Sequence, residues 1–450
     1  MNYKVSVIMP SLNVEKYIET CLKSALNQSI KDIEIICVDA GSTDGTLDII
    51  KKYAQSDSRI VIINSDVRSY GYQVNIGIEN AKGKYIAILE TDDWIQCDMY
   101  SSLYDVAEKY RLDYVAADFD FVYELKDDKK CFKRYRQFSK NSNMYNSVLL
   151  QNDINKLRTS DYVLWKGIYN RQFILNNKIK LHESPKAAYQ DMGFLQQIKT
   201  YAQRAMYIDK SFYRYRIGRV GSSTCSLDGL LFYMNEFSWI NNELGLLKKM
   251  SCIQKQYYYH TMSIAFYLKY KELLNKLEWR YEDNRLKMPY NYFTEQLKGV
   301  ISDGILNKNM YGNKEWKELN LLLKSESEFV TVIKHEYDDD MKNYLLWEKT
   351  LQNKKILIFG CGLIGCRTLR ICDVRNIHVE AFIDNNKILQ QNGFNGYKVI
   401  SVQKIHELMA MDECVIILAV KNNKEEILEQ LKNNDVTCQI VDYPNDVVLK

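Results

Sequence analysis

The chain has 450 residues, 46% of them hydrophobic and 26% charged, and a formal net charge of +4. Such a length predicts two to four domains, and such a composition an ordinary globular protein, not a disordered one. Interspersed charges near balance give no electrostatic case for nucleic acid as a partner, and no apolar run approaches the ~20 residues that span a bilayer.

The eleven cysteines are scattered, odd in number and without a Cys-x-x-Cys pair. That pattern predicts buried thiols in a reducing compartment and argues against a structural zinc site. Met1-Asn2-Tyr3-Lys4 leads directly into a strand with no secretory pattern, so a cytoplasmic location is expected.

In chain order, Val5–Met9 reads as a strand, and Tyr17, Ile18, Cys21, Leu22, Ala25 and Leu26 form one helical stripe. Strands over Ile33–Val38, Ile60–Ile63 and Tyr85–Leu89 alternate with helices over Thr46–Ala54 and Tyr72–Ala81. A helix over Met99–Tyr110 and a strand over Tyr114–Ala117 follow. Such alternation implies a mostly parallel sheet covered by helices on both faces. From Leu230 to Thr350 the spacing is helical, with long helices expected over Leu230–Met250 and Gln256–Tyr281. Pro289 and the Gly299–Gly312 region are the interruptions, and Asp338-Asp339-Asp340 reads as a solvated turn. After Lys355 the β pattern returns, with strands at Ile356–Phe359, Val379–Ile383, Val415–Ala419 and Gln439–Val441 and helices at Ile364–Val374 and Lys424–Lys432. The expected division is an α/β domain over residues 1–228, a helical middle over 229–353 and a small Rossmann-like α/β domain over 354–450.

Two acidic clusters follow apolar strands: Asp39-Ala40-Gly41-Ser42-Thr43-Asp44-Gly45 and Glu90-Thr91-Asp92-Asp93. Ligands of open α/β sheets bind in the crevice at the carboxyl ends of the strands, so the clusters can converge there. Asp39 can accept from a uracil N–H or a ribose hydroxyl, with Gly41 permitting a tight turn; the plainer alternative is a turn closed by a helix cap. The second cluster suits Mg²⁺ or Mn²⁺ bridging a diphosphate, with Asp92 or Asp93 as ligand.

With Val5-Ser6-Val7-Ile8-Met9-Pro10-Ser11-Leu12-Asn13, Ala81-Lys82-Gly83-Lys84-Tyr85-Ile86 and Trp94, these pieces closely resemble the inverting family 2 glycosyltransferases of GT-A fold. The resemblance covers roughly the first half of the chain. It implies a nucleotide-sugar site, UDP-linked by preference, with contacts from Pro10, Asn13, Asp39, Gly41, Ser42, Asp44, Gln73, Asn75 and Glu90, and a divalent metal at Asp92 and Asp93. Two departures stand out: Glu90 occupies the usual first Asp of the Asp-x-Asp motif, and Gln73 replaces an Arg, leaving Arg68 as a nearby substitute cation.

The same resemblance locates a base. Trp165-Lys166-Gly167-Ile168-Tyr169 is similar to the family's Trp-x-Lys-x-Tyr segment, and Tyr189-Gln190-Asp191 to the acidic pair that opens the next helix. Asp191 is then the carboxylate that takes the acceptor's proton, Gln190 stands for the usual Glu, and His182 reads as a loop residue. An Asp at a helix start is also a common cap. Phe212-Tyr213-Arg214-Tyr215-Arg216, followed by Ser222-Ser223-Thr224, resembles the segment that closes the catalytic domain. Arg216 can meet the diphosphate or acceptor; the alternative is an edge strand of alternating Tyr and Arg.

Gly360-Cys361-Gly362-Leu363-Ile364-Gly365, with Asp384 ending the next strand, has the form of a dinucleotide-binding turn. Phe382-Ile383-Asp384-Asn385-Asn386 also resembles the marker of small Rossmann-like domains in sugar-modifying enzymes. Nucleotide or nucleotide-sugar binding at Gly360, Gly362, Gly365 and Asp384 is expected, or a purely structural role. The leading expectation is a metal-dependent hexosyltransferase acting on a glycan or lipid-linked acceptor of a bacterial surface polysaccharide, at the inner face of the cell membrane. Peripheral membrane contact and a homo-oligomer are both compatible with the sequence. The alternatives are an NAD(P)-linked oxidoreductase using the C-terminal glycine motif and a non-catalytic nucleotide-sugar-binding protein.

Overall fold

The computed structural model describes residues 3–126, 129–157, 163–186, 189–217, 226–408 and 414–443. Ser222-Ser223-Thr224 lies outside these residues. The chain forms two compact units, one of residues 1–120, 134–215 and 219–330, the other of residues 121–133, 216–218 and 331–450.

The first unit opens with the expected alternation: β1 (Val5–Ser11), α1 (Glu15–Leu26), β2 (Ile33–Asp39), α2 (Thr46–Ser56), β3 (Ile60–Asn64), α3 (Tyr70–Asn80), β4 (Tyr85–Ile88), β5 (Trp94–Ile95) and α4 (Met99–Tyr110). There follow β6 (Tyr114–Glu124), β7 (Lys130–Tyr135), β8 (Leu149–Leu150), α5 (Gln151–Asn155), β9 (Gly167–Asn170), α6 (Arg171–Asn176), α7 (Gln190–Tyr201) and β10 (Arg204–Ile217). The sheet runs β3-β2-β1-β4-β9-β6-β10-β5, with β7 on β6 and β8 on β10. β1 to β4 are parallel to one another, and β1, β2 and β4 are buried along their whole length, which is why they read as unbroken apolar runs. β9 pairs antiparallel with β4 and β6.

Register sets the site edge. Ser11 pairs with Asp39, so β1 and β2 end level. Leu89 N donates to Ile8 O at 2.9 Å, which carries the segment after β4 to the same edge.

The helical part comprises α8 (Gly229–Ser238), α9 (Cys252–Lys276), α10 (Asn284–Ser302), α11 (Asn313–Lys324) and α12 (Glu326–Leu351). Phe266 stacks on Phe293 at 4.9 Å and Phe237 meets the same ring edge-on at 5.7 Å. Three local expectations are corrected. Leu230–Met250 is not one helix: α8 passes into a π-turn over Trp239–Glu243, and Gly245, at φ 56°, breaks the chain before a short 3₁₀ turn. Pro289 and Gly299 lie inside α10 instead of between helices. Asp338-Asp339-Asp340 is helical, within α12, because its flanking apolar residues keep the helical period across the acids.

The second unit holds β11 (Lys355–Phe359), α13 (Leu363–Val374), β12 (Val379–Ile383), α14 (Lys387–Asn392), β13 (Val399–Ile400), α15 (Ile405–Leu408), β14 (Cys414–Leu418), α16 (Lys424–Lys432) and β15 (Gln439–Asp442). Its sheet is parallel throughout, in the order β13-β12-β11-β14-β15. One face packs Ile358, Leu369 and Phe382 with Trp347 of α12 and with Tyr123, Leu125 and Cys131. Residues distant in sequence thus enlarge a core that a segment of fewer than 100 residues would leave thin.

Candidate active site

The acidic turn after β4 is built from strand-end hydrogen bonds. Thr91 Oγ1 donates to Pro10 O at 2.9 Å, and Asp93 N to Glu90 O at 3.1 Å. Tyr213 of β10 donates its hydroxyl to Asp93 Oδ2 (3.0 Å), and the Tyr213 hydroxyl oxygen accepts from Glu90 N (3.2 Å). Burial, then the charge of Asp93, push the Tyr213 phenol well up, so it stays a donor. Tyr70 of α3 donates to Glu90 Oε1 at 2.5 Å. Asp93 is buried, whereas Asp92 and Glu90 are half-buried.

Asp191 is the second residue of α7 and joins the same neighbourhood. The Tyr70 phenol, raised first by burial, lies in the field of both Glu90 and Asp191. The Tyr215 phenol, also raised first by burial, feels Asp93, Asp92, Glu90 and Asp191 together. Four carboxylates from two distant stretches of sequence therefore act electrostatically on one half-buried tyrosine, which Trp165 backs in a stacked arrangement at 5.1 Å. Asp191 is half-buried, and desolvation, then the charge of Glu236, push its carboxyl up to about 7. Backbone hydrogen bonds at the helix start pull the other way and lose.

Several residues expected to touch the donor also make hydrogen bonds or ion pairs within the protein. Gln73 Nε2 donates to Ser11 O (3.0 Å) and Val38 O (2.7 Å), tying the ends of β1 and β2. Asn75 exchanges hydrogen bonds with the Leu181 backbone and reaches Glu183 Oε1 at 2.9 Å. Asp44 accepts from Glu15 N (3.1 Å) and Thr46 N (3.0 Å), so one carboxylate caps α1 and α2, and these bonds lower its pKa against the opposing effect of burial. Asn13, at φ 53°, accepts from Thr43 N at 2.8 Å and donates its own N–H to Ser42 Oγ at 3.0 Å. Arg216 is buried and ion-paired with Glu124, both in the second unit.

Asp39 accepts from Gly41 N (3.0 Å), Ser42 N (2.9 Å) and Ser42 Oγ (2.5 Å). Three of about four acceptor directions are filled by its own turn. Gly41 holds φ at 76°, and a Cβ there would meet open space, so conformation and not crowding asks for glycine. Arg68 donates to Gly41 O at 3.3 Å, which brings a cation to this turn as its sequence position suggested.

Residues 6–164 match the family described as Glycosyl transferase family 2. Residues 6–164 are thus a family 2 glycosyltransferase domain. This glycosyltransferase is 26% identical over 310 residues to a cholesterol galactosyltransferase of Borreliella burgdorferi, covering 67% of this chain and 83% of that protein. It is 27% identical to the glycosyltransferase GlyA of Streptococcus pneumoniae, over 49% of this chain but only 31% of the relative. Among solved structures, S. aureus TarS 1–349 in complex with UDP-GlcNAc is a loose likeness, with TM-score 0.42 and 18% identity over 67% of this chain and 92% of that one. Residues 352–441 match a second family, described as C2185-like, N-terminal.

In the glycosyltransferase, the acidic turn can be tested against a metal. Mg²⁺ is held by one or two carboxylates and completed by substrate phosphates, not by an all-protein cage. Among the described residues no group of three or more His, Cys, Asp or Glu could hold a metal ion. Asp93 is only 1% exposed and bonded to Tyr213, which leaves Asp92 as the accessible acid. The donor set fits a cation completed by a diphosphate.

In the second unit the glycine loop is held from within. Asp384 Oδ2 accepts from Cys361 N at 3.0 Å and Oδ1 from Asn386 N at 2.9 Å. Its carboxylate thus supports the loop. Gly360 takes φ 110°, Gly362 caps α13 with open space beside it, and a Cβ on Gly365 would overlap Gly360 O.

The sequence reading missed Tyr70 and Glu236, and took His182 for a plain loop residue. Glu236 Oε1 accepts from Gly193 N and Oε2 lies beside His182 Nδ1, both at 3.0 Å. The available signal was an acid next to Phe237 in a helix otherwise apolar on that side. No helix among the described residues is long and apolar enough to cross a membrane.

Proposed function

We propose that the enzyme transfers a hexose, with inversion, from a UDP-linked donor to a hydroxyl of a glycan or lipid-linked acceptor in bacterial surface polysaccharide synthesis, at the cytoplasmic face of the membrane. The observation that carries this reading is the acidic turn Glu90–Asp93, held by Tyr213 and Tyr70, with Asp191 acting electrostatically on the same Tyr70 and Tyr215 phenols. It supports a donor-side cluster within reach of a base. Asp191, with its carboxyl near neutrality, takes the proton of the acceptor hydroxyl as that oxygen bonds to the sugar's C1. The bond from C1 to the diphosphate oxygen breaks on the opposite face, and the nucleoside diphosphate leaves. A Mg²⁺ or Mn²⁺ held by Asp92, when bound, supplies charge neutralisation to that leaving group. Asp93 and Tyr213 hold the turn that presents Asp92, and Tyr70 fixes Glu90. The names of relatives support the reaction class: one is a poly(ribitol-phosphate) beta-glucosyltransferase, 37% identical over 114 residues. For residues 354–450 we infer a nucleotide-binding fold in which Gly362, with open space beside it, offers the close approach.

The test is calorimetric titration of UDP into the full chain with and without Mn²⁺, repeated on Asp92→Asn. Metal-dependent binding that the substitution abolishes supports the donor site. Binding equally tight without metal, or unchanged in Asp92→Asn, would sink the metal assignment.

A further inference from the structure

Glu236 stands outside every motif visible in the sequence, yet it binds the backbone two residues after Asp191 and acts electrostatically on it. It comes from α8, is 1% exposed, and accepts the Gly193 N–H at 3.0 Å, one of the donors that a helix start leaves without an intrahelical partner. Its other oxygen lies 3.0 Å from His182 Nδ1. The His182 ring lies flat on Trp239, 4.8 Å between centroids and 3° from parallel. A Cβ on Gly193 would overlap Glu236 Oε1 and come within 2.7 Å of the Trp239 ring. Acid, imidazole and indole are thus packed onto the first turn of α7, where Asp191 sits.

A cap alone does not call for a charge here. A glutamine oxygen would accept the Gly193 N–H as well, and its amide nitrogen would reach His182. A buried carboxylate is kept only with hydrogen bonds or a counter-charge, and this one has both available. What the carboxylate adds over an amide is a second negative charge beside Asp191.

We propose that Glu236 and His182 are a positioning pair for Asp191: Glu236 fixes the start of α7 and keeps a negative charge beside the base that makes it stronger, and His182 moderates that charge. The pair rests on the reading of Asp191 as the base. Asp191 is faced by Glu236 from α8, by the Tyr70 phenol of α3 with Glu90 bonded to it, and by Tyr215 of β10. Glu236 is faced by His182 and lies within the electrostatic reach of Tyr258 of α9. Of these, only His182 can bring positive charge to Glu236.

The experiment is carboxyl ¹³C titration of Asp191 in the full chain, labelled at aspartate and assigned by difference against Asp191→Asn. Wild type, Glu236→Gln and His182→Gln are compared. The midpoint is expected to fall by about one pH unit in Glu236→Gln and to rise in His182→Gln. A structural cap would lower the melting temperature of both variants and leave the midpoints where they were, and that result overturns the proposal. A fall without the rise removes His182 from the pair. Should Glu236→Gln not fold, the rise in His182→Gln, or its absence, decides alone. Sugar transfer by Asp191→Asn is measured beside the titration. An inactive Asp191→Asn with unmoved midpoints sinks only the pair, whereas an active one with shifted midpoints sinks the base reading and leaves the charge coupling standing.

Discussion

Replacing Asp191 by Asn should stabilise the fold and sharply slow transfer, and the stabilisation should appear only above acidic pH. The carboxyl titrates at about 7 in the folded chain against an ordinary value of 3.8. A pKa raised by folding means that the folded state holds a proton the unfolded state has released. Its stabilising contribution is therefore complete below pH ~4, declines between ~4 and ~7, and is absent above ~7. At ~1.36 kcal/mol per unit, a rise of about three units bounds the effect at about 4 kcal/mol. Asp191 keeps partial contact with solvent, and screening brings the expectation to about 2 kcal/mol. Asn carries no charge to bury and escapes this term. For a unit of this size, ~2 °C per kcal/mol places the melting temperature of Asp191→Asn about 4 °C above wild type at pH 8.5, and level with it near pH 4. Tryptophan fluorescence suits the assay, since Trp94, Trp165, Trp239, Trp279 and Trp316 lie in the first unit and only Trp347 in the second. Transfer should fall ~10²–10⁴-fold, as for loss of a general base. A melting-temperature difference that is flat from pH 4 to 8.5, or negative at pH 8.5, would refute the assignment of a burdened carboxylate at this position.

Gly193→Ala forces a Cβ against Glu236 and Trp239; overpacking of this kind costs ~1–3 kcal/mol, so the urea midpoint of the first unit should drop, and an unchanged midpoint would mean that the start of α7 yields. Tyr213→Phe removes a donor from buried Asp93, a hydrogen bond to a charged group worth ~1.5–3 kcal/mol; thermal melting should report that loss, with Mn²⁺-dependent UDP binding weakened as the turn slackens, and full retention of both would deny Tyr213 its role. Gly365→Ala overlaps Gly360 O and should lower the unfolding transition followed by Trp347 while leaving UDP titration of the first unit intact; a loss of UDP binding would move the donor site.

How much of this was legible beforehand depends on where each residue's partner lies in the chain. β1, β2 and β4 announce themselves because both faces of each are buried, and nothing polar interrupts the run. The full lengths of β6 and β10 do not, because their polar residues are matched across the sheet. Arg214 pairs with Asp120 at 2.6 Å, and Arg134 bridges Asp118 and Asp209 at 2.8 and 2.5 Å. Read singly, those residues look like solvated loop. The site divides in the same way. Asp191 and the acidic turn could be singled out because they stand in recognisable motifs, the acids of the turn directly after an apolar strand and Asp191 at a helix start. Gln73 and Asn75 read as ligand contacts because an amide in a motif does; their intramolecular partners, the Ser11 and Val38 carbonyls for Gln73 and the Leu181 carbonyl for Asn75, are distant in sequence and not visible in it. Glu236 was invisible for the complementary reason: its two partners, Gly193 and His182, are 43 and 54 residues away, and only folding brings an isolated acid in an apolar helix to the start of α7, where Asp191 sits.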